Sequence, residues 1–321
     1  MTEPNNDVDL AVATAAIPPT DQVTKVAPNQ ARAVKYALSA VLLWSTVATA
    51  FKLALDYLTP IQLLTIAALV SVATFAVIIS WQGRWQEALQ IGGKRYRFYI
   101  FQGFINPFAY YLVLFSAYNA LPAQQAQAIN YSWAITMALL AVPILKQKLS
   151  RRALLAMLIA YVGVIFIATG GRWDFQQTNW VGIGLALGST LLWAGYWLSN
   201  IHNQDKPIPA LFWCFAFGSG WLLITQWMWV NDPWQGYLDL PLEGWLGGVY
   251  VGLFEMGITF LVWLTAMRSA ENAGRISSLV FLSPFISLAL IYFILGETIH
   301  YTTVIGLLLI IIGLSLQGER T

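Results

Sequence analysis

From Tyr36 onward the chain alternates long apolar runs with short polar breaks. A helix needs about 20 apolar residues to cross a bilayer. Runs of that kind fall at 36–57, 61–81, 97–118, 123–145, 153–170, 180–201, 209–230, 244–266, 273–295 and 302–317. The breaks hold residues that end helices: Thr59-Pro60, Leu121-Pro122, Gly170-Gly171, Lys206-Pro207 and Asp232-Pro233. The pattern predicts an all-α integral membrane protein with ten transmembrane helices and loops too short for a folded domain. Residues 1–34 differ. Four acids (Glu3, Asp7, Asp9, Asp21) and four prolines (Pro4, Pro18, Pro19, Pro28) crowd their first thirty positions, and no secretory signal is present, so they read as a disordered cytoplasmic arm.

Composition strengthens this reading. Apolar residues make up 58% and charged residues 10% of the 321, with a mean hydropathy of +0.63. A soluble domain carries roughly 25% charged residues. Fifteen Trp, fourteen Tyr and seventeen Phe are too much aromatic surface for one aqueous core. The single Cys214 and the scattered His202 and His300 build neither a disulfide nor a metal cluster, so neither metal nor cofactor is expected. A net charge of +2 without a basic tract speaks against nucleic acid.

Charge also predicts direction. With the N-terminus inside, one side collects Lys25, Arg32, Lys35, Arg84, Lys94, Arg95, Arg97, Lys146, Lys148, Arg151, Arg152, Lys206, Arg268, Arg275 and Arg320, 15 of the 17 basic residues. Lys52 and Arg172 remain for the other side, where the loop after the seventh run carries Asp232, Asp239 and Glu243. Loops rich in Lys and Arg stay cytoplasmic. Both termini are therefore expected in the cytoplasm, with the protein in the inner membrane.

The chain also resembles itself. Leu42-Leu43-Trp44 recurs as Leu191-Leu192-Trp193, and Phe104, Ala123, Leu145 and Gly163 match Phe254, Ala273, Leu295 and Gly313 at an offset of 150. The first run thus falls on the sixth and the fifth on the tenth. Five crossings per unit is odd, so the units, 35–172 and 178–317, must enter the membrane with opposite polarity. Inverted repeats characterise secondary transporters, with the substrate site between the halves near the midplane.

Pro284-Phe285 through Leu295-Gly296-Glu297, then Ile305-Gly306 and Ile312-Gly313, resemble a signature of the drug/metabolite transporter superfamily, specifically its EamA-type permeases. The resemblance covers about 36–317. Asn130-Tyr131-Ser132-Trp133 is similar to a run in the superfamily's aromatic amino acid exporters, with Ala134 where a proline usually follows. Gln147 stands where the first half would match Glu297. The resemblance implies transport by alternating access, outward, with helices 1, 3, 4, 6, 8 and 9 around the cavity and helices 5 and 10 peripheral.

Deep polar residues are the candidate site, because a charge in hydrocarbon costs several kcal/mol unless paired or wet (~2.5–3.5 on insertion scales). Glu255 is the acid nearest the middle of a span and reads as a proton-coupling carboxylate or a partner for a substrate ammonium. Lys52 could neutralise it, bind a carboxylate, or snorkel to the outer interface. Asn106 falls one position from Glu255 under the repeat, so that the two would face each other across the twofold, and it precedes Pro107, which frees a backbone carbonyl. Asn130, Tyr131, Trp133 and Met137 share a face of the fourth helix, with Phe281 and Ser283 as counterparts on the ninth. Tyr110, Trp193, Trp44, Tyr196 and Trp197 would complete an aromatic lining. Aromatic stripes also arise as plain packing or interfacial belts, as for Trp221, Trp227, Trp229, Trp234 and Trp245. Glycines four apart, as at Gly184/Gly188 and Gly244/Gly248/Gly252, suit close helix approach.

A lining of amide, aromatic and one carboxylate suits a small amphipathic metabolite, an amino acid or related amine, better than a phosphate, which wants clustered Lys and Arg. No Gly-Lys-Ser/Thr loop supplies ATP. An intramembrane enzyme would need paired carboxylates or a Cys–His pair, which the sequence lacks. Multidrug efflux and a non-transporting scaffold are the alternatives.

Overall fold

The computed structural model describes residues 29–145, 151–169, 178–200, 203–229, 235–271, 276 and 278–318. Most of the N-terminal arm, Lys146, Gln147, Lys148, Arg172, Asp232, Trp234, Ala273, Arg275 and Arg320 lie outside them. The regular elements among the described residues are all helices. Seven helical runs are long and apolar enough to cross a membrane, and three apolar helices, Leu154–Thr169, Leu279–Leu295 and Tyr301–Gly313, are shorter. Among the described residues the three shorter helices fall on the fifth, ninth and tenth runs of the sequence pattern.

Local chemistry sets the helix starts. Asn29 caps α1 (Gln30–Leu55) by accepting from the Arg32 amide, which lengthens the helix six residues beyond the expected start. Thr59 and Gln62 form a reciprocal capping box at α2 (Pro60–Trp81), with Pro60 at its first position. The break expected between the second and third runs is itself helical: α3 (Trp85–Gly103) begins there and bends at Arg95. A π-helical turn, Phe104–Ala109, joins α3 to α4 (Tyr110–Ala120).

The fourth run is two helices, α5 (Ala123–Asn130) and α6 (Trp133–Leu145). Then come α7 (Arg151–Thr169), α8 (Trp180–Asn200), α9 (Pro207–Trp229) and the short α10 (Gln235–Leu238). The eighth run is again two helices, α11 (Leu242–Phe254) and α12 (Ile258–Ser269). A 3-10 turn (Ser278–Leu282), α13 (Ser283–Leu290), a π turn (Ile291–Leu295) and α14 (Tyr301–Gly318) complete the chain.

Packing sorts these elements into two bundles. In the first, α3 packs on α9, while α4, α5 and α6 pack on α8. In the second, α1 packs on α11, α12 and α13, and α2 on α11. The exchange of halves seen in the sequence maps one bundle onto the other. The α2–α9 contact joins the bundles, and α7 pairs with α14, both also touching α5. Gly163 and Gly306 make that pair possible: a Cβ on either would lie 2.5 Å from the other's carbonyl oxygen.

Candidate functional site

Two helix breaks, one per bundle, fall at candidate residues. In the first, Asn106 is extended (φ −142, ψ 119) and is followed by a cis peptide bond to Pro107. In the second, Glu255 ends α11, and Gly257 (φ −115, ψ −94) interrupts the helix before α12. Backbone carbonyls freed inside a membrane need internal donors, and side chains supply them. Ser71 donates to the Gly252 carbonyl at 2.9 Å and Thr259 to that of Phe254.

Glu255 is half-buried and accepts a hydrogen bond from the Tyr111 hydroxyl at 3.1 Å. Tyr110, Tyr118 and Tyr131 are within electrostatic reach of the same carboxyl. Glu255 belongs to the second bundle and these tyrosines to the first, so the carboxyl faces across the junction. Tyr131 lies beside Ser283, whose Oγ is 3.3 Å from that of Ser45. Asn130 donates to Ser189 Oγ at 2.9 Å and lies beside Tyr110. Trp193 stands among four rings, with centroids at 4.6 Å to Tyr110, 5.7 Å to Trp197, 5.9 Å to Tyr196 and 6.4 Å to Trp133.

Other candidates sit elsewhere. Lys52 does not reach Glu255. Its ammonium donates to the carbonyls of Tyr118 (2.8 Å) and Leu121 (3.1 Å), because the last turn of α4 offers unpaired acceptors nearer than the carboxyl. Asn106 is 3% exposed and rests beside Tyr196, with its Oδ1 unpartnered, so it and Glu255 are served by different tyrosines. Trp44 packs on Phe260 and Trp263 rather than with Tyr196 and Trp197. Phe281 joins the main apolar core. The stripe through Asn130, Trp133 and Met137 does not run along one helix, since Tyr131 and Ser132 divide α5 from α6. Met137 packs with Ala194 and Leu198 on α8.

Sequence reasoning missed Tyr111, the one hydrogen-bonded partner of Glu255 among the described residues. Its only signal was its place beside Tyr110, one turn past Pro107. A polar ladder along α3 and α8 was also missed. Arg95 pairs with Asp205 at 2.6 Å and donates to Asn203 at 2.6 Å; Tyr99 donates to Asp205 at 2.5 Å. Gln102 links Ser199 (2.9 Å) and Asn200 (2.8 Å).

Long apolar helices in two packed bundles, with polar groups converging at their junction, define a multi-pass integral membrane protein. The chain belongs to the EamA-like transporter family, whose model matches residues 31–169 and again 180–317. It is a member of the drug/metabolite transporter superfamily. An uncharacterized transporter of Clostridium kluyveri is 28% identical over 53% of this chain and 55% of its own length, so the match spans about half of that relative. An uncharacterized transporter of Bacillus subtilis is 23% identical over 70% of this chain and 72% of its own. One from Synechocystis is 24% identical over 58% and 60%. A solved crystal structure with 19% identity covers 90% of this chain and 96% of its own, with a TM-score of 0.59, a likeness of fold alone.

Proposed function

We propose that the protein is a secondary transporter that exports a small amphipathic metabolite, an amino acid or related amine, across the cytoplasmic membrane by alternating access. In this reading ten crossings form two inverted five-helix units, 35–172 and 178–317, with both termini cytoplasmic, as the 15-to-2 division of basic residues supports. The observation that carries the substrate class is the Glu255 carboxyl at the bundle junction. It faces tyrosine hydroxyls, and Lys52 is engaged with backbone carbonyls instead. A carboxyl with no side-chain cation bonded to it among the described residues is free to take a substrate ammonium or a proton. Trp193, Trp133, Tyr110 and Tyr131 offer apolar faces, and Asn130 and Ser283 offer hydrogen bonds, which together fit an amphipathic zwitterion.

Proteoliposomes loaded with labelled amino acids and amines test this against multidrug efflux and a scaffold role. Flux of an amino acid or amine is expected; flux of bulky hydrophobic cations alone would favour efflux, and no flux a scaffold. Glu255→Gln keeps shape and hydrogen bonding but removes the titratable charge. It is expected to insert normally and to lose the dependence of flux on a pH gradient. An unaltered rate and pH profile would leave Glu255 as polar glue between helices.

A further inference from the structure

The short connection between α4 and α5, Leu121-Pro122, is held from both sides by charges of the other bundle. The last carbonyls of a helix carry partial negative charge and its first amides partial positive charge. Lys52 of α1 meets the first set, at Tyr118 O and Leu121 O. Glu297, just beyond the π turn after α13, meets the second. Its Oε1 accepts from the Ala123 amide at 2.8 Å and its Oε2 from the Gln124 amide at 3.4 Å.

The local sequence leaves these groups in want of partners. The N-cap position of α5 is Pro122, which has no side-chain acceptor, and no capping bond is made from within that segment. Gln124, 2% exposed, completes the joint: it donates to Thr298 O at 2.8 Å and accepts from the His300 amide and the Thr303 hydroxyl at 3.0 Å each. The connection is thus a cation, a turn and an anion in sequence, with both ions contributed by the facing bundle. Charge-assisted bonds of this kind are stronger than neutral ones, yet each is made to backbone and breaks as a unit if the bundles separate there.

We infer that Lys52 and Glu297 form a latch on the α4–α5 turn that closes one end of the junction holding Glu255, and that the site opens to that side when the latch is released. The inference rests on the transport reading for its purpose, but its test needs no substrate. In a Cys214→Ala background, Asn130→Cys places a thiol at the half-buried site position. Its alkylation by a membrane-impermeant maleimide is followed in sealed vesicles of each orientation. Glu297→Gln, nearly isosteric, and Lys52→Met are each expected to speed labelling about tenfold from the face bearing the turn, the shift expected on losing about one charge-assisted hydrogen bond. Labelling from the opposite face should not rise. Unchanged labelling in well-folded Glu297→Gln, or an equal rise from both faces, would overturn the latch, the second by showing general loosening. If labelling shifts as expected but the unsubstituted protein transports no solute, the transport reading fails and the latch stands. If transport proceeds without a labelling shift, only the latch fails.

Discussion

The two helix breaks fall within one position of each other in the repeat, Asn106 matching Met256 beside Glu255, yet they are built by opposite means. The first is tight. A π turn carries Asn106 and Pro107 past α9 so closely that a Cβ on Gly218 would lie 2.5 Å from Pro107 Cδ and 3.0 Å from the Gly103 carbonyl. The second is looser and more polar: Gly257 interrupts the helix, hydroxyls of Ser71 and Thr259 take the carbonyls, and the residue at the break is ionisable. One break is a packed joint; the other presents a titratable group across the bundle junction. Repeat symmetry thus fixes where the chain is interrupted, while side chains decide what the interruption does.

The largest effect is expected at the packed joint. Gly218→Val forces α9 away from Pro107 and should destabilise by about 3 kcal/mol, the upper end for overpacking. Thermal unfolding in detergent, followed by the protein's tryptophan emission, would show it; a normal midpoint would refute the claim that this break is held by close approach. Glu255→Leu should have a smaller effect, about 1–2 kcal/mol, because it leaves the buried Tyr111 hydroxyl without its acceptor. Here Glu255→Gln should sit near the unsubstituted protein, and equal losses for Leu and Gln would show that charge, not hydrogen bonding, matters to stability. Asn106→Leu should do least, about 0.5–1 kcal/mol, since its Oδ1 is already unpartnered and only the bond with Tyr196 is lost. A loss as large as that of Glu255→Leu would mean that Asn106 holds the joint after all.

Much of the fold was legible in the sequence because membrane helices announce themselves. Backbone groups in hydrocarbon must be satisfied within the segment, so an apolar run leaves little choice but a helix. The start of α2 at Thr59-Pro60, the turn at Leu121-Pro122, the all-helical class and the family-matched halves follow from such local signals. Interruptions inside runs were not legible. Glu255-Met256-Gly257 reads as ordinary span sequence, and the break at Tyr131-Ser132 carries neither Pro nor Gly. The first draws a donor from α2 through Ser71, and at the second Ser132 and Thr136 donate to carbonyls of their own segment.

The site divides in the same way. Composition and depth alone selected Glu255, Asn106, Asn130, Tyr131, Trp133 and Trp193, because a polar or aromatic group deep in an apolar run stands out whatever surrounds it. Which of them meet was decided only in three dimensions. Lys52 went to the carbonyls ending α4, Trp44 to Phe260 and Trp263, and Glu297 to the amides of a helix 174 residues earlier in the chain. The physical reason is reach. Hydrophobic patterning is a property of each segment, whereas a hydrogen bond or ion pair forms over about 3 Å, and only the packing of two bundles brings separate segments that close.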